Sequence, residues 1–196
     1  MRLDAGTLAA ALLAVAGAAA AQNTATGMAI DVQRSTIVIH VGKSGLLSAA
    51  AHDHTIEASI SSGTIRESPA PYVEFTIETA KMALRPDPKV DPKTELTIQK
   101  DMEEMTLETK KFPEITFRSS RVERLADGQW KVDGDLSLHG VTKPVSLTVK
   151  QHDGAYATHA VLKQTDFGIK PISIGGGMIK VKNEVEIDFL IFPRPG

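Results

Sequence analysis

The chain has 196 residues, 22 of them Lys or Arg and 24 Asp or Glu, for a formal net charge of -2. That balance offers no basic excess for a phosphate backbone, so no nucleic-acid partner is expected. With no cysteine, disulfides, thiolate catalysis, zinc-thiolate sites and cysteine-ligated iron-sulfur clusters are excluded, and burial and hydrogen bonding must hold the fold.

The N-terminal residues place Arg2 ahead of the apolar run AGTLAAALLAVAGAAAAQ, which ends in the small residues Ala19, Ala20 and Ala21. This is the form of a cleavable secretory signal peptide. The run is too short and too alanine-rich for a membrane span, which needs about 20 strongly apolar residues. Residues 1–21 are therefore expected to be a leader, and residues 22–196 one exported domain beginning near Gln22.

Period-two alternation dominates the chain beyond the leader, as in strands with one buried face. In STIVIHVGK the residues Ile37, Ile39 and Val41 share a face. In AAHDHTIEASISSGTI the inward set is His52, His54, Ile56, Ala58 and Ile60, with Asp53, Thr55 and Glu57 opposite. PYVEFTIET turns Val73, Phe75 and Ile77 inward. Next comes the one helical interval, expected over about 93–106. Asp91 stands there as N-cap and Pro92 as the first helical residue, with Ile98, Met102 and Met105 on one face. Strands resume with Ile115 and Phe117, then with Trp130, Val132, Leu136 and Leu138 around Gly134, then with Val145, Leu147 and Val149. A weaker segment spans Ala155 to Lys163, and the last strand alternates from Ile179 through Val185, Ile187 and Phe189 to Ile191. LADGQ and HDGA carry the Asp-Gly signal of tight hairpins.

About eight antiparallel strands can close into a barrel or split into a sandwich. Closure removes exposed edges, and eight strands enclose room for their own side chains or for one small ligand. Many inward positions are Val, Ile, Ala, Ser or Gly, so a cavity is expected. His52 and His54 then stand at its mouth, with three readings open: a polar rim for the head of a bound molecule, solvated structural residues, or two of the ligands of a metal. A polar rim that protonates near the ordinary imidazole pKa of about 6.5 favours an anionic head as pH falls. An enzyme built on His52, Asp53, His54 and His139 is disfavoured, because alternation sends Asp53 to the opposite face. The chain has no Gly-x-Ser-x-Gly and no His-Glu-x-x-His, and IGGGM leads into a strand rather than a helix.

Four stretches carry a resemblance: KFPEITFRSSRV (Lys111 to Val122), VDGDLSLHGVTKPVSLTV (Val132 to Val149), TDFGI (Thr165 to Ile169) and the final MIKVKNEVEIDFLI. In them the chain resembles the YceI-like family, the polyisoprenoid-binding, lipocalin-like periplasmic proteins. The resemblance implies an all-β, eight-stranded antiparallel lipocalin-like barrel with one short crossover helix. It also implies a periplasmic binding protein that holds an isoprenoid or similar lipid-like chain as store, carrier or stress-related factor. Its expected ligand-binding residues are His52, His54, Ile56, Ala58, Phe75 and Ile77, continuing with Phe117, Trp130, Leu136, Phe167, Ile187 and Phe189. No catalytic residue, cofactor or metal is expected, while transient contact with a membrane and a dimeric state are left open. Two departures stand out: paired aromatics are missing between the third and fourth strands, and Gln164 replaces an arginine often found before Asp-Phe-Gly. The alternatives are a structural or interaction barrel without a lipid ligand, and a His-based metal-binding protein.

Overall fold

The computed structural model describes residues 27–46, 52–126 and 128–194. The expected leader and the start near Gln22 lie outside the described residues. Twelve strands form one antiparallel sheet. They are β1 (Met28–Ala29), β2 (Thr36–Ser44), β3 (His54–Ala58), β4 (Ile60–Arg66), β5 (Tyr72–Glu78) and β6 (Ala83–Leu84), followed by helix α1 (Pro92–Asp101). After the helix come β7 (Glu114–Ala126), β8 (Gln129–Leu138), β9 (Val141–His152), β10 (Ala155–Lys163), β11 (Ser173–Ile174) and β12 (Ile179–Ile191).

Twelve strands make the eight expected staves because four staves are interrupted or flanked by short pieces. β1 and β2 run as one broken stave along β4 and β3, from Met28 opposite Ile65 to Val41 opposite His54. Asp31 makes the break, its Oδ1 accepting from Gln33 N at 3.1 Å and Arg34 N at 3.3 Å. β4 and β3 in turn face β5 and β6, from Arg66 opposite Tyr72 to Ile56 opposite Leu84. The remaining staves pair in chain order, and β12 returns to pair with β2, closing an up-and-down barrel. β11 is a two-residue flank on β12.

One seam is incomplete. β9 and β10 pair only from His152 opposite Ala155 to Lys150 opposite Ala157, and Thr158 Oγ1 then donates to Thr148 O at 2.8 Å. Beyond that point β9 stays with β8 and β10 stays with β12, which gives the sheet the look of a half-barrel.

The hairpins arise from local chemistry. Asp153-Gly154 (φ 50° and 75°) and His139-Gly140 (φ 52° and 75°) both take left-handed backbone, as two-residue hairpin loops require. Gly134 is needed for a different reason: a Cβ there would stand 2.6 Å from Phe117 Cζ, so the absent side chain leaves space for the ring. Inward burial agrees with the expected alternation, with Ile77, Ile115, Phe117, Val132, Val185 and Ile187 all in the core. The Phe75 ring lies 5.5 Å from Phe117 and 6.3 Å from Phe189 between centroids.

Helix α1 begins as expected: Asp91 Oδ2 accepts from Thr94 N at 3.0 Å, and Pro92 takes the first position. It passes at Met102 into a π-turn through Thr106, where Leu107 N donates to Met102 O at 2.8 Å. The extra residue in that turn changes the register. Ile98 and Met102 therefore face the barrel, whereas Met105, expected on the same face, is 67% exposed.

Candidate ligand-binding cavity

The barrel interior holds two chambers. The larger, about 190 Å³, lies under α1 and is walled by Ile37, Ile39 and Val41 of β2, Ile56 and Ala58 of β3, Ile187 of β12, and Phe167 from the turn after β10. Ile98, Met102 and Leu107 cover it. The smaller, about 110 Å³, is walled by Trp130 and Val132 of β8, Val145, Leu147 and Val149 of β9, and Ala160 of β10. Its β9 and β10 walls belong to the two strands that part company. Phe75, Leu136, Leu162 and Phe189 border both chambers, so the aromatic contacts above form a partition across the tube. Val145, Leu147, Val149 and Leu162 point inward yet remain only partly buried, as a wall facing an unfilled space does.

Eleven of the twelve expected ligand-binding residues line this interior. His54, Ile56, Ala58, Ile77, Phe167 and Ile187 face the larger chamber, and Phe117 and Trp130 the smaller. Phe75, Leu136 and Phe189 touch both. His52 is the exception: it is exposed and precedes the strand. Alternation governs a side chain only where a ladder holds the backbone, and the ladder starts at His54 opposite Val41.

His54 therefore stands without His52 on the cavity wall. Burial lowers its pKa below the ordinary imidazole value, and the charge of His52 lowers it further, while Asp53, Asp87 and Glu95 pull the other way. The expected protonation near 6.5 is thereby moved to lower pH. A neutral imidazole offers one donor and one acceptor, which suits a hydroxyl or carbonyl better than an anion. Asp53 points away, its Oδ1 accepting from Lys43 N at 2.9 Å.

Polar groups beyond the twelve expected binding residues also reach the interior, among them Gln164, which departs from the family pattern. In the larger chamber Gln164 is buried, its Nε2 donating to Lys182 O at 2.8 Å. The smaller chamber has a polar end where the Tyr156 hydroxyl donates to Glu67. Gln151 Nε2 donates there to Tyr156 Oη at 3.0 Å and to Glu67 Oε1 at 3.2 Å. Burial, reinforced by the Glu67 carboxylate, raises the Tyr156 pKa well above its ordinary value. Glu67 precedes Tyr156 by 89 positions, and nothing local in either stretch signals the contact.

The remaining histidines lie elsewhere. His40 Nε2 and His159 Nδ1 flank the Asp188 carboxylate at 3.0 and 2.9 Å on exposed positions. His139 packs on Phe112, 4.2 Å between centroids, with Nε2 2.9 Å from Glu108 Oε2 but off the line of a hydrogen bond. His152 Nε2 lies 3.0 Å from Asp153. Among the described residues, no three His, Asp or Glu side chains converge as metal ligands.

An antiparallel barrel with a chambered apolar interior and a few polar groups at its ends defines a lipocalin-like barrel. The model of the YceI-like domain matches residues 28–191, and the chain belongs to that family. Protein YceI of Escherichia coli O157:H7 is 38% identical over 74 residues, covering 33% of this chain and 38% of that one. A UPF0312 protein of Shewanella denitrificans is 36% identical over 94 residues, 42% and 48% of the two chains. The matched stretches thus span less than half of these curated relatives. Among solved structures, a polyisoprenoid binding domain from Saccharophagus degradans superposes with TM-score 0.59 at 17% identity, covering 87% of this chain and 99% of that one. BcnA of Burkholderia cenocepacia gives TM-score 0.58 at 17% identity, covering 83% and 98%. At these identities the two structures show a shared fold.

Proposed function

We propose that this protein is an exported, periplasmic, non-enzymatic binding protein that holds an isoprenoid or similarly lipid-like chain inside the barrel. The observation that carries the reading is the pair of chambers lined almost wholly by aliphatic and aromatic side chains, with inward residues of β9 and β10 left partly unburied. Family membership and the polyisoprenoid binding ascribed to the Saccharophagus domain support the same class of ligand. Each methylene taken out of water adds about 0.8 kcal/mol, so a branched tail filling one chamber offsets the cost of association. His54 and Gln164 at one end, and Tyr156 with Glu67 at the other, are the groups available to a polar head.

Native mass spectrometry of the protein purified from the periplasm of its host tests this reading. Wild type is expected to carry an apolar adduct. Ala58 is buried against the larger chamber, so Ala58→Trp is expected to fold, at a cost of about 1–3 kcal/mol for overpacking, and to lose the adduct. A folded Ala58→Trp that carries as much lipid as wild type would show that the chamber is not the binding site.

A further inference from the structure

At the rim of the larger chamber, Leu46 is 93% exposed, Ile174 61% and Met178 47%. Leu46 comes just after β2, and the other two flank the glycine turn between β11 and β12. The two loops touch: a Cβ on Gly45 would stand 2.4 Å from Met178 O. Ile172 and Val181, on either side of the turn, line the chamber itself. The apolar tips are thus continuous with the cavity wall.

Their surroundings are basic. Lys170, Lys180 and Lys182 are exposed, and among the described residues none of them is in an ion pair. The Lys180 ammonium lies over the turn, 3.3 Å from where a Gly177 Cβ would be, and the Lys182 stem lies over Gly42. From Phe167 to Asn183 the chain carries three lysines and no acidic residue, and from Thr36 to His52 it carries Lys43 and no acidic residue. Two of the acids that border these segments face lysines elsewhere. Asp166 is 4.0 Å from Lys143 and Glu184 3.8 Å from Lys163, whereas the Asp53 carboxylate lies on the β2 segment itself, accepting from Lys43 N, so the basic sector is the β11–β12 side. The helix sector of the rim also exposes Leu96, but it carries Glu95, Asp101, Glu103 and Glu104, so it does not share the basic character.

Exposed apolar tips among Lys170, Lys180 and Lys182 match an interface with acyl chains below and anionic head groups above. We propose that the rim formed by the β2 end and the β11–β12 turn docks on an anionic lipid bilayer, so that a chain passes between bilayer and larger chamber without crossing water. The proposal rests on the reading that the barrel holds an apolar chain, and names the surface that would load or unload it.

Co-sedimentation with vesicles of phosphatidylcholine alone, and of phosphatidylcholine with an equal part of phosphatidylglycerol, tests it. The protein is expected to bind the mixed vesicles at low salt and to be released as salt screens the lysines. Lys180→Gln with Lys182→Gln is expected to weaken binding about 25-fold, at about fivefold per lysine near an anionic surface. Ile174→Ser with Met178→Ser is expected to abolish it. Farnesol added in solution provides the separate readout, as a bound adduct in native mass spectrometry, which reports a chain held in either chamber. Both variants are expected to keep the farnesol adduct. Equal binding to the two vesicle types, no binding to either, or lysine variants that bind as wild type would overturn the docking surface. Absence of any farnesol adduct, with lysine-dependent vesicle binding intact, would instead sink the chain-holding reading and leave the surface standing.

Discussion

His54 is half-buried on the wall of the larger chamber, and its lowered pKa ties the fold to pH. The folded state disfavours the imidazolium, so the unfolded chain takes up a proton first as pH falls below about 6.5. The stability linked to His54 is complete above that pH and declines below it until the folded-state group also protonates. His54→Gln has no such group, so urea midpoints at pH 7.5 and pH 5.5 are expected to differ less in the variant than in wild type. An equal drop in both proteins would remove His54 as the cause. Neighbouring Ala58, Ile56 and Ile60 could be placed from alternation because each sits inside a paired strand. His52 could not, because its position depends on where the ladder begins, and the sequence marks no boundary there.

Helix α1 is held to the barrel by one polar side chain as well as by Ile98 and Met102. Gln99 Oε1 accepts from Leu84 N at 2.7 Å, while its Nε2 donates to Met82 O at 3.0 Å and Glu103 Oε1 at 2.6 Å. It thus partners the backbone along one edge of the short strand β6, at Leu84 and at Met82 just before it, as a neighbouring strand would. Gln99→Leu keeps helix propensity but leaves these backbone groups unpaired, a loss of about 1–3 kcal/mol when such groups are shielded from water. Amide exchange is expected to accelerate in α1 and β6 more than in β7–β8; uniform acceleration would mean that Gln99 does not pin the helix. The helix itself was legible from Asp91-Pro92 and from Ile98 with Met102. The role of Gln99 was not, because its partners lie 15 and 17 positions earlier, across a fold that must already exist. Met105 misled because a π-turn changes the period without a sequence mark. β1, β6 and β11 escaped because two residues cannot display alternation.

Across the whole molecule, the partition sets how long a bound chain can be. Alternation showed an enclosed interior but not its subdivision, since the Phe75, Phe117 and Phe189 rings come from three strands and meet only after closure. A chain seated under α1 must displace this cluster to reach Trp130. Phe189 is the natural place to loosen it: it is only partly buried and lines both chambers. Phe189→Ala removes one aromatic contact and buried ring area, and a loss of about 3 kcal/mol, at the low end for aromatic truncation, is expected. The same change joins the chambers. Geranylgeraniol, longer than farnesol by one isoprene unit, then gains wall that wild type closes off, so its affinity is expected to rise relative to farnesol by about tenfold or more for methylenes newly buried at about 0.8 kcal/mol each. Competition of the two alcohols, read as the two adducts in native mass spectrometry, measures that ratio independently of overall stability. A folded Phe189→Ala variant with an unchanged ratio would mean that the rings do not limit the length of the bound chain.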